Sequence, residues 1–348
     1  MEKPLAEVGG NSSRRIAITL LSPHNHAQEV QVTNNLLLAF LEEEYTVDSC
    51  DKYFDRLSDK FAPADISFAW EGTDSRYTLL LAENNTFSHA KQYTVTTNML
   101  FLNGLKGNTT YYWKVWGNGT TSDVYTFTTA ATPRTVSIEG VTNSRDMGGW
   151  KTADGGWIKQ GVLFRTALLD GITPRGIAYC LKELQIKTEL DLRRPDEGSA
   201  GTCFLGKTVQ YINISSPHYG VNDGNIFLKS NHAPLREILH IFAEEANYPI
   251  LFHCAGGRDR TGTIAFLLQA LCGMREEDIC REYDLSFFSA NGETTPSEMH
   301  NRFFLSLITG MKAYSTGTWQ QNVVQYCLDI GITESELKAI RKNLIEFC

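Results

Sequence analysis

Over roughly the first 130 residues, apolar and polar positions alternate in short runs. Asp65-Ile66-Ser67-Phe68-Ala69-Trp70, Arg76-Tyr77-Thr78-Leu79-Leu80-Leu81, Tyr111-Tyr112-Trp113-Lys114-Val115-Trp116 and Val124-Tyr125-Thr126-Phe127-Thr128 all read this way. A period of two, filled by β-branched and aromatic residues, predicts strands with one face on a core. Asn84-Asn85, Asn103-Gly104, Gly107-Asn108 and Asn118-Gly119 punctuate the runs as turn dipeptides. Short strands with such punctuation predict an all-β sandwich. Leu36 to Glu44 is helical or strongly apolar and has no place in that pattern.

The pattern breaks at Thr128-Thr129-Ala130-Ala131-Thr132-Pro133-Arg134, whose small residues and proline suit a linker. Beyond it, strands alternate with helices. Thr173-Pro174 caps a helix over Gly176 to Leu184, Lys187 to Leu192 and Val209 to Ile214 read as strands, and Pro249-Ile250-Leu251-Phe252 is an apolar strand. Helices are predicted over Thr261–Gly273, near Glu277–Ser286 and Trp319–Asp329, and after a capping box from Thr333 to Glu336. This order predicts an α/β domain with a short, mostly parallel sheet flanked by helices. The expected division is therefore a β-sandwich over 14–132 and an α/β domain over 133–348.

Charge and cysteine usage narrow the function. Thirty-two Lys and Arg against 40 Asp and Glu leave a net charge of −8, a poor balance for general nucleic-acid binding. An anionic ligand must then be met by a local cluster of positive charge. No apolar run reaches the roughly 18–20 residues of a membrane-spanning helix. Met1-Glu2-Lys3-Pro4 has no apolar stretch behind it to act as a signal peptide. Two locations stay open: the cytoplasm, or a secreted, periplasmic or cell-surface place with the signal removed, towards which an Asn-, Thr- and aromatic-rich sandwich leans. The eight cysteines show neither CxxC nor Cys/His spacing, so no metal or other cofactor is implied.

One loop concentrates the chemistry. His253-Cys254-Ala255-Gly256-Gly257-Arg258-Asp259-Arg260-Thr261-Gly262 joins the apolar strand to the helix at Thr261. Its two glycines let successive backbone N–H groups converge as an anion nest, and the helix N-terminus favours negative charge there. Arg260 brings a planar fork suited to a tetrahedral oxyanion. Such a field also favours a thiolate, and a thiolate beside a phosphate cradle suits nucleophilic phosphoryl transfer.

This stretch resembles the signature loop of cysteine-dependent protein tyrosine phosphatases, His-Cys-x-x-Gly-x-x-Arg followed by Thr or Ser. With Asp before the arginine and Thr-Gly after it, it is similar to a bacterial and fungal subgroup, some of whose members also act on phosphoinositides. Asn143-Ser144-Arg145-Asp146-Met147-Gly148-Gly149, Gly161 to Ala167, Leu190 to Glu197 and Glu282-Tyr283-Asp284-Leu285-Ser286 resemble further motifs of that subgroup. Together they cover about 136–345. The subgroup commonly has lysine where Arg258 stands. The first region resembles a fibronectin type III-like or immunoglobulin-like module over about 14–130, on Trp70 and the run Leu105 to Val115.

The phosphatase resemblance implies hydrolysis of a phosphate monoester, phosphotyrosine in protein first and phosphoinositide or inositol phosphate second. It implies Cys254 as nucleophile, the amides of Ala255, Gly256, Gly257, Arg258, Asp259 and Arg260 with the Arg260 guanidinium as oxyanion ligands, and Thr261 as donor to the sulfur. His253 is expected to orient the loop, and Arg258 to bind a second phosphate or a lipid headgroup. Asp259 is expected to be the general acid, with Asp191 holding Arg260 or another loop arginine; Asp191 and Asp196 stand where other tyrosine phosphatases keep their acid.

Competing readings remain. The loop admits a plain strand–helix turn, a rhodanese-like sulfur-transfer loop, or a module that binds phosphorylated ligands without turnover. Asn143, Arg145 and Asp146 read as a hydrogen-bonded scaffold, Arg165 as a salt-bridge residue, and Arg193 and Arg194 as a solvated strand end or a phosphate funnel. Trp150 and Trp157 flank a hairpin at Asp154-Gly155-Gly156. His218, Tyr219, Phe287 and Phe288 read as core or interface packing before a substrate mouth. The sandwich would serve a protein or surface partner.

Overall fold

A computed structural model describes residues 17–54, 62–215, 223–289 and 295–347. His218 and Tyr219 lie outside the described residues. The chain forms two compact units. One holds the residues up to Val30 with Ile66–Leu102 and Thr109–Thr129; the other holds Gln31–Asp65, Asn103–Asn108 and Ala130 onward.

The first unit is built of β1 (Thr19–Ser22), β2 (Ala27–Val30), β3 (Ile66–Glu71), β4 (Tyr77–Ala82), β5 (Lys91–Val95), β6 (Met99–Leu102), β7 (Thr110–Gly117), β8 (Thr120–Thr121) and β9 (Tyr125–Thr129). One sheet runs β1-β3-β6 and the other β2-β9-β7-β4-β5, with β8 on β7. The alternation read from the sequence sets the inward face: Ile66, Phe68 and Trp70 on β3, and Tyr111, Trp113 and Val115 on β7, are buried. Phe68 of the smaller sheet meets Trp113 and Phe127 of the larger edge-on, at 5.1 and 5.8 Å between ring centres. Such pairs add about 0.5–1.5 kcal/mol beyond the area they bury.

The second unit carries a mixed five-stranded sheet. Its strands are β10 (Arg145–Asp146), β12 (Leu163–Thr166), β13 (Thr188–Asp191), β14 (Gln210–Asn213) and β15 (Ile250–His253), in the order β10-β12-β15-β13-β14. Beside it, β11 (Trp157–Ile158) pairs with β16 (Ile345–Glu346). Only β10 runs antiparallel to its neighbour. The helices are α1 (Asn35–Glu42), α2 (Pro174–Lys182), α3 (Gly224–Ser230), α4 (His232–Ala243), α5 (Asp259–Leu271), α6 (Glu276–Asp284), α7 (Pro296–Met299), α8 (Leu305–Lys312), α9 (Trp319–Asp329) and α10 (Glu334–Leu344). None is long and apolar enough to cross a membrane, among the described residues.

The sheet is buried on both faces, which is why β15 is apolar from Ile250 to Phe252 before it ends in His253. Leu251 and Phe164 face a core with Val136, Ile138, Cys180 and Leu184. Ile250, Phe252 and Leu163 face a larger core that includes Leu235, Leu239 and Phe242 of α4 and the apolar residues of α5.

The division differs from a single cut at 132/133. The apolar stretch from Leu36 to Glu44 falls on the helix α1, which ends at Glu42, and its Leu37 and Phe40 are buried in the larger core of the second unit together with Cys50. An apolar helix face goes to the core that covers it, whatever its position along the chain.

Candidate active site

The last residues of three strands stand level. Thr166 of β12 and Asp191 of β13 both pair with His253 of β15. Ligand sites of parallel sheets lie beyond these carboxyl ends. Cys254 follows immediately, a buried thiol in no disulfide, and the loop runs into α5 at Asp259.

The loop is shaped by what holds its carbonyls. Ala255 O accepts from Leu168 N at 2.9 Å. Asn143 Nδ2 donates to Gly256 O at 2.9 Å and Gly257 O at 3.1 Å. Arg165 Nη2 donates to Gly257 O at 2.8 Å and Arg258 O at 3.3 Å. In a trans peptide the N–H points opposite to the C=O, so four tethered carbonyls aim the N–H groups of Gly256, Gly257, Arg258 and Asp259 away from this scaffold. The two glycines differ. Gly257 has φ +67°, and a Cβ there would stand 2.2 Å from Thr166 O. A Cβ on Gly256 would meet nothing within 4 Å.

The tethering side chains are fixed by a buried ion cluster. Arg145 Nε and Arg165 Nη1 each reach a different oxygen of Glu282 at 2.6 Å, and Arg145 also donates to Asn143 Oδ1. Burial raises the Glu282 carboxyl, and the two guanidiniums overcome it and hold it below its ordinary range. Burial beside Arg165 lowers Arg145 to about 9. Asn143 and Arg145 are thus scaffold, and Arg165 is a salt-bridge residue that also grips the loop.

The remaining loop and strand-end residues singled out in the sequence each have a place. Arg260, at the start of α5, is buried; its Nη1 donates to Glu197 Oε2 at 2.6 Å and Leu192 O at 3.3 Å. Asp191 does not hold Arg260. It grips Arg193, through Oδ1 to Nε at 3.0 Å and Oδ2 to Nη2 at 2.8 Å, and accepts from Tyr211 Oη at 2.8 Å. Burial raises Asp191, and Arg193 and His253 bring it below the ordinary range. Arg193 is fully buried, so only Arg194 is a solvated strand end. The physical reason is reach: the fork of Arg193, two residues on, closes on the Asp191 carboxylate, while Glu197 lies nearer Arg260.

Asp259 is buried, accepting from Tyr283 Oη at 2.7 Å and Arg258 Nε at 3.1 Å. Arg258 lies 5.3 Å from the centre of the Phe287 ring. Phe287 and Phe288 are core residues. His253 is enclosed, its Nε2 3.3 Å from Glu189 Oε1 and its Nδ1 3.8 Å from Asp191 Oδ1. Thr261 Oγ1 is buried and meets no hydrogen-bond partner among the described residues. Asp196 is mostly exposed beside Arg194. Among the described residues, no three His, Cys, Asp or Glu side chains are grouped to hold a metal ion.

Glu197 as the holder of Arg260, and Tyr283 as the donor to Asp259, were not legible as such. The available signal was the composition of α6: Glu276 to Asp284 is strongly polar, yet everything from Asp278 onward is buried. A polar helix in a core must pair its charges.

The tyrosine phosphatase family matches residues 136–346, and the chain belongs to it. A Cupriavidus necator protein named as a tyrosine-protein phosphatase is 26% identical over 176 residues, 42% of this chain and 61% of that protein. A tyrosine-protein phosphatase of Nostoc commune is 31% identical over 136 residues, 34% of this chain and 46% of that one. The chain thus spans less than two thirds of the length of either. Among solved structures, P. aeruginosa TpbA is 19% identical at TM-score 0.32, covering 51% of this chain and 91% of TpbA. The core catalytic domain of the PP-IP phosphatase SIW14 from S. cerevisiae is 18% identical at TM-score 0.31, covering 42% and 84%.

Proposed function

We propose that the chain hydrolyses phosphate monoesters through a cysteinyl-phosphate intermediate, with phosphotyrosine in protein as its substrate. The observation that carries this reading is the tethered loop: Cys254 is followed by four carbonyls pulled to one side, at the N-terminus of a buried helix. In this reading the Cys254 thiolate attacks phosphorus and the ester oxygen leaves. The loop amides and Arg260, braced by Glu197, take up the charge on the equatorial oxygens. Asp259 protonates the leaving oxygen, and Asp191 is committed to Arg193. Water then attacks the phosphocysteine, and the Thr261 hydroxyl, which has no other partner among the described residues, donates to the departing sulfur.

Arg258 favours a second reading, a phosphoinositide or inositol phosphate, because it adds a cation to the loop beside Arg260. The first unit, with two sheets meeting through aromatic residues, is read as a fibronectin-like sandwich serving a protein or surface partner.

A panel of phosphotyrosine peptides and phosphoinositides, assayed with wild type and Cys254→Ser, tests this. Vanadate-sensitive turnover of the peptides, lost in Cys254→Ser, is expected. Phosphate binding without turnover would make the chain a binding module instead. Asp259→Asn should slow substrates with poor leaving groups by roughly 10²–10⁴ and good ones much less. Selective slowing by Asp191→Asn alone would move the acid there.

A further inference from the structure

The loop is held from one side by α6, and α6 is held in turn by residues outside the family-matched region. Within α6 and the turn after it, Glu282 fixes Arg145 and Arg165, Tyr283 bonds Asp259, and Phe287 lies under Arg258. Tyr283 also stacks on Phe304 at 4.0 Å between ring centres. The opposite side of α6 faces the segment from α1 to Phe54. Arg281 donates to Phe40 O at 2.7 Å and Glu43 O at 2.6 Å, and its guanidinium lies 5.1 Å from the Tyr45 ring centre. Tyr45 Oη donates to Asp284 Oδ2 at 2.6 Å, and His300 Nδ1 is 2.9 Å from Asp284 Oδ1. Phe288 packs on Phe40 and stacks on Tyr53.

Asp284 is fully buried, so its carboxylate needs every donor it has. Burial raises its titration, and His300 and Tyr45 oppose that. Burial and the neighbouring Asp284 raise Tyr45 in turn, so the phenol keeps its proton and stays a donor. Asp284 is the residue after Tyr283. What fixes the Asp284 carboxylate therefore fixes the turn from which the Tyr283 hydroxyl reaches Asp259.

We propose that Tyr45 is a positioning residue for the signature loop, acting through Asp284 and the end of α6 to set the Tyr283–Asp259 pair. This rests on the phosphatase reading for its kinetic consequence only. Residues 31–54 are then a working part of the catalytic unit, although the family match begins at 136.

The test uses the full chain as wild type, Tyr45→Phe, Asp284→Asn and the double variant. With phenyl phosphate, whose poor leaving group needs the acid, kcat should fall about fivefold to tenfold in Tyr45→Phe while KM stays within about twofold, a scale set by side-chain coupling. The double variant should be no slower than Asp284→Asn, because both act along one route. Amide hydrogen exchange in 255–261 should quicken in Tyr45→Phe while that of β13 does not change. An unaltered kcat in Tyr45→Phe, or losses that multiply in the double variant, would overturn the proposal. A wild type inert towards phosphate esters would sink the functional reading instead. Exchange in Tyr45→Phe would still decide the positioning role, also if Asp284→Asn does not fold: unchanged protection of 255–261 rejects it.

Discussion

The interiors of the two units are built from different materials. In the first, Phe68, Trp70, Tyr77, Trp113 and Phe127 fill the space between the sheets, and the buried polar residues described there are Ser122 and Thr129, with no buried charge. In the second, Arg145, Arg165, Glu189, Asp191, Arg193, His253, Asp259, Arg260 and Glu282 are all buried, gathered behind the carboxyl ends of β12, β13 and β15. Taking an ion out of water costs several kcal/mol, and a well-packed apolar group of the same size is often the more stable choice. The first unit makes that choice throughout. The second uses it in its two apolar cores and departs from it where carbonyls, guanidiniums and carboxylates must be held at fixed angles. The buried charges therefore mark geometry rather than stability.

The sharpest way to break this contrast compares one residue from each interior. Phe68→Ala opens a cavity between the sheets, and Glu282→Gln leaves two buried guanidiniums short of a counter-charge. Each should lower stability by about 3–5 kcal/mol, on different grounds. Only Glu282→Gln should lower kcat in the fraction that stays folded. Equal effects on turnover, measured beside denaturant melts, would mean that the charges serve stability alone.

A smaller effect separates the two glycines. Gly257→Ala should cost about 1–3 kcal/mol, since it forces a side chain into a left-handed conformation against Thr166 O. Gly256→Ala should leave stability within about 0.5 kcal/mol and lower turnover, because the space beside it belongs to substrate in the proposed reaction. Unchanged turnover in Gly256→Ala would remove that assignment.

The smallest effect lies at the rim and depends on pH. Burial raises Glu197, and Arg260 and the Arg194 amide bring it below its ordinary 4.5. A depressed carboxyl stabilises the fold above its unfolded value and ceases to do so as pH falls through the folded one. Glu197→Gln should thus be less stable than wild type by about 1 kcal/mol near neutrality. The gap should close below the ordinary value, as seen in thermal melts across pH 3–7. A gap that persists in acid would show that the carboxylate charge is not its source.

The contiguous part of the site was legible because its chemistry is contiguous. His253 to Gly262 carries thiol, glycines and arginine in one strand–loop–helix unit, and the strand Ile250–His253 and the helix Asp259–Leu271 lie within two residues of the bounds read from the sequence. The pairings were not. Arg260 and Glu197 are 63 residues apart and Tyr283 and Asp259 are 24 apart, and ion pairing leaves no period in a sequence. Asp191 was read as a holder of an arginine, yet nothing in the order of residues says that Arg193 turns back on it. The helix at Asn35–Glu42 shows the same limit: its pattern tells which face is apolar, not which core will receive it.

The chain passes between its two units five times, at 30/31, 65/66, 102/103, 108/109 and 129/130. The two units are therefore not consecutive stretches of the chain. A protease nick at any one of these junctions cannot set either part loose, and a fragment begun at 136 would lack Leu37, Phe40 and Cys50 from its own interior. Transplanting the front part onto another protein, by recombination or by hand, would need several joins made together, so the two are expected to be inherited as a single piece.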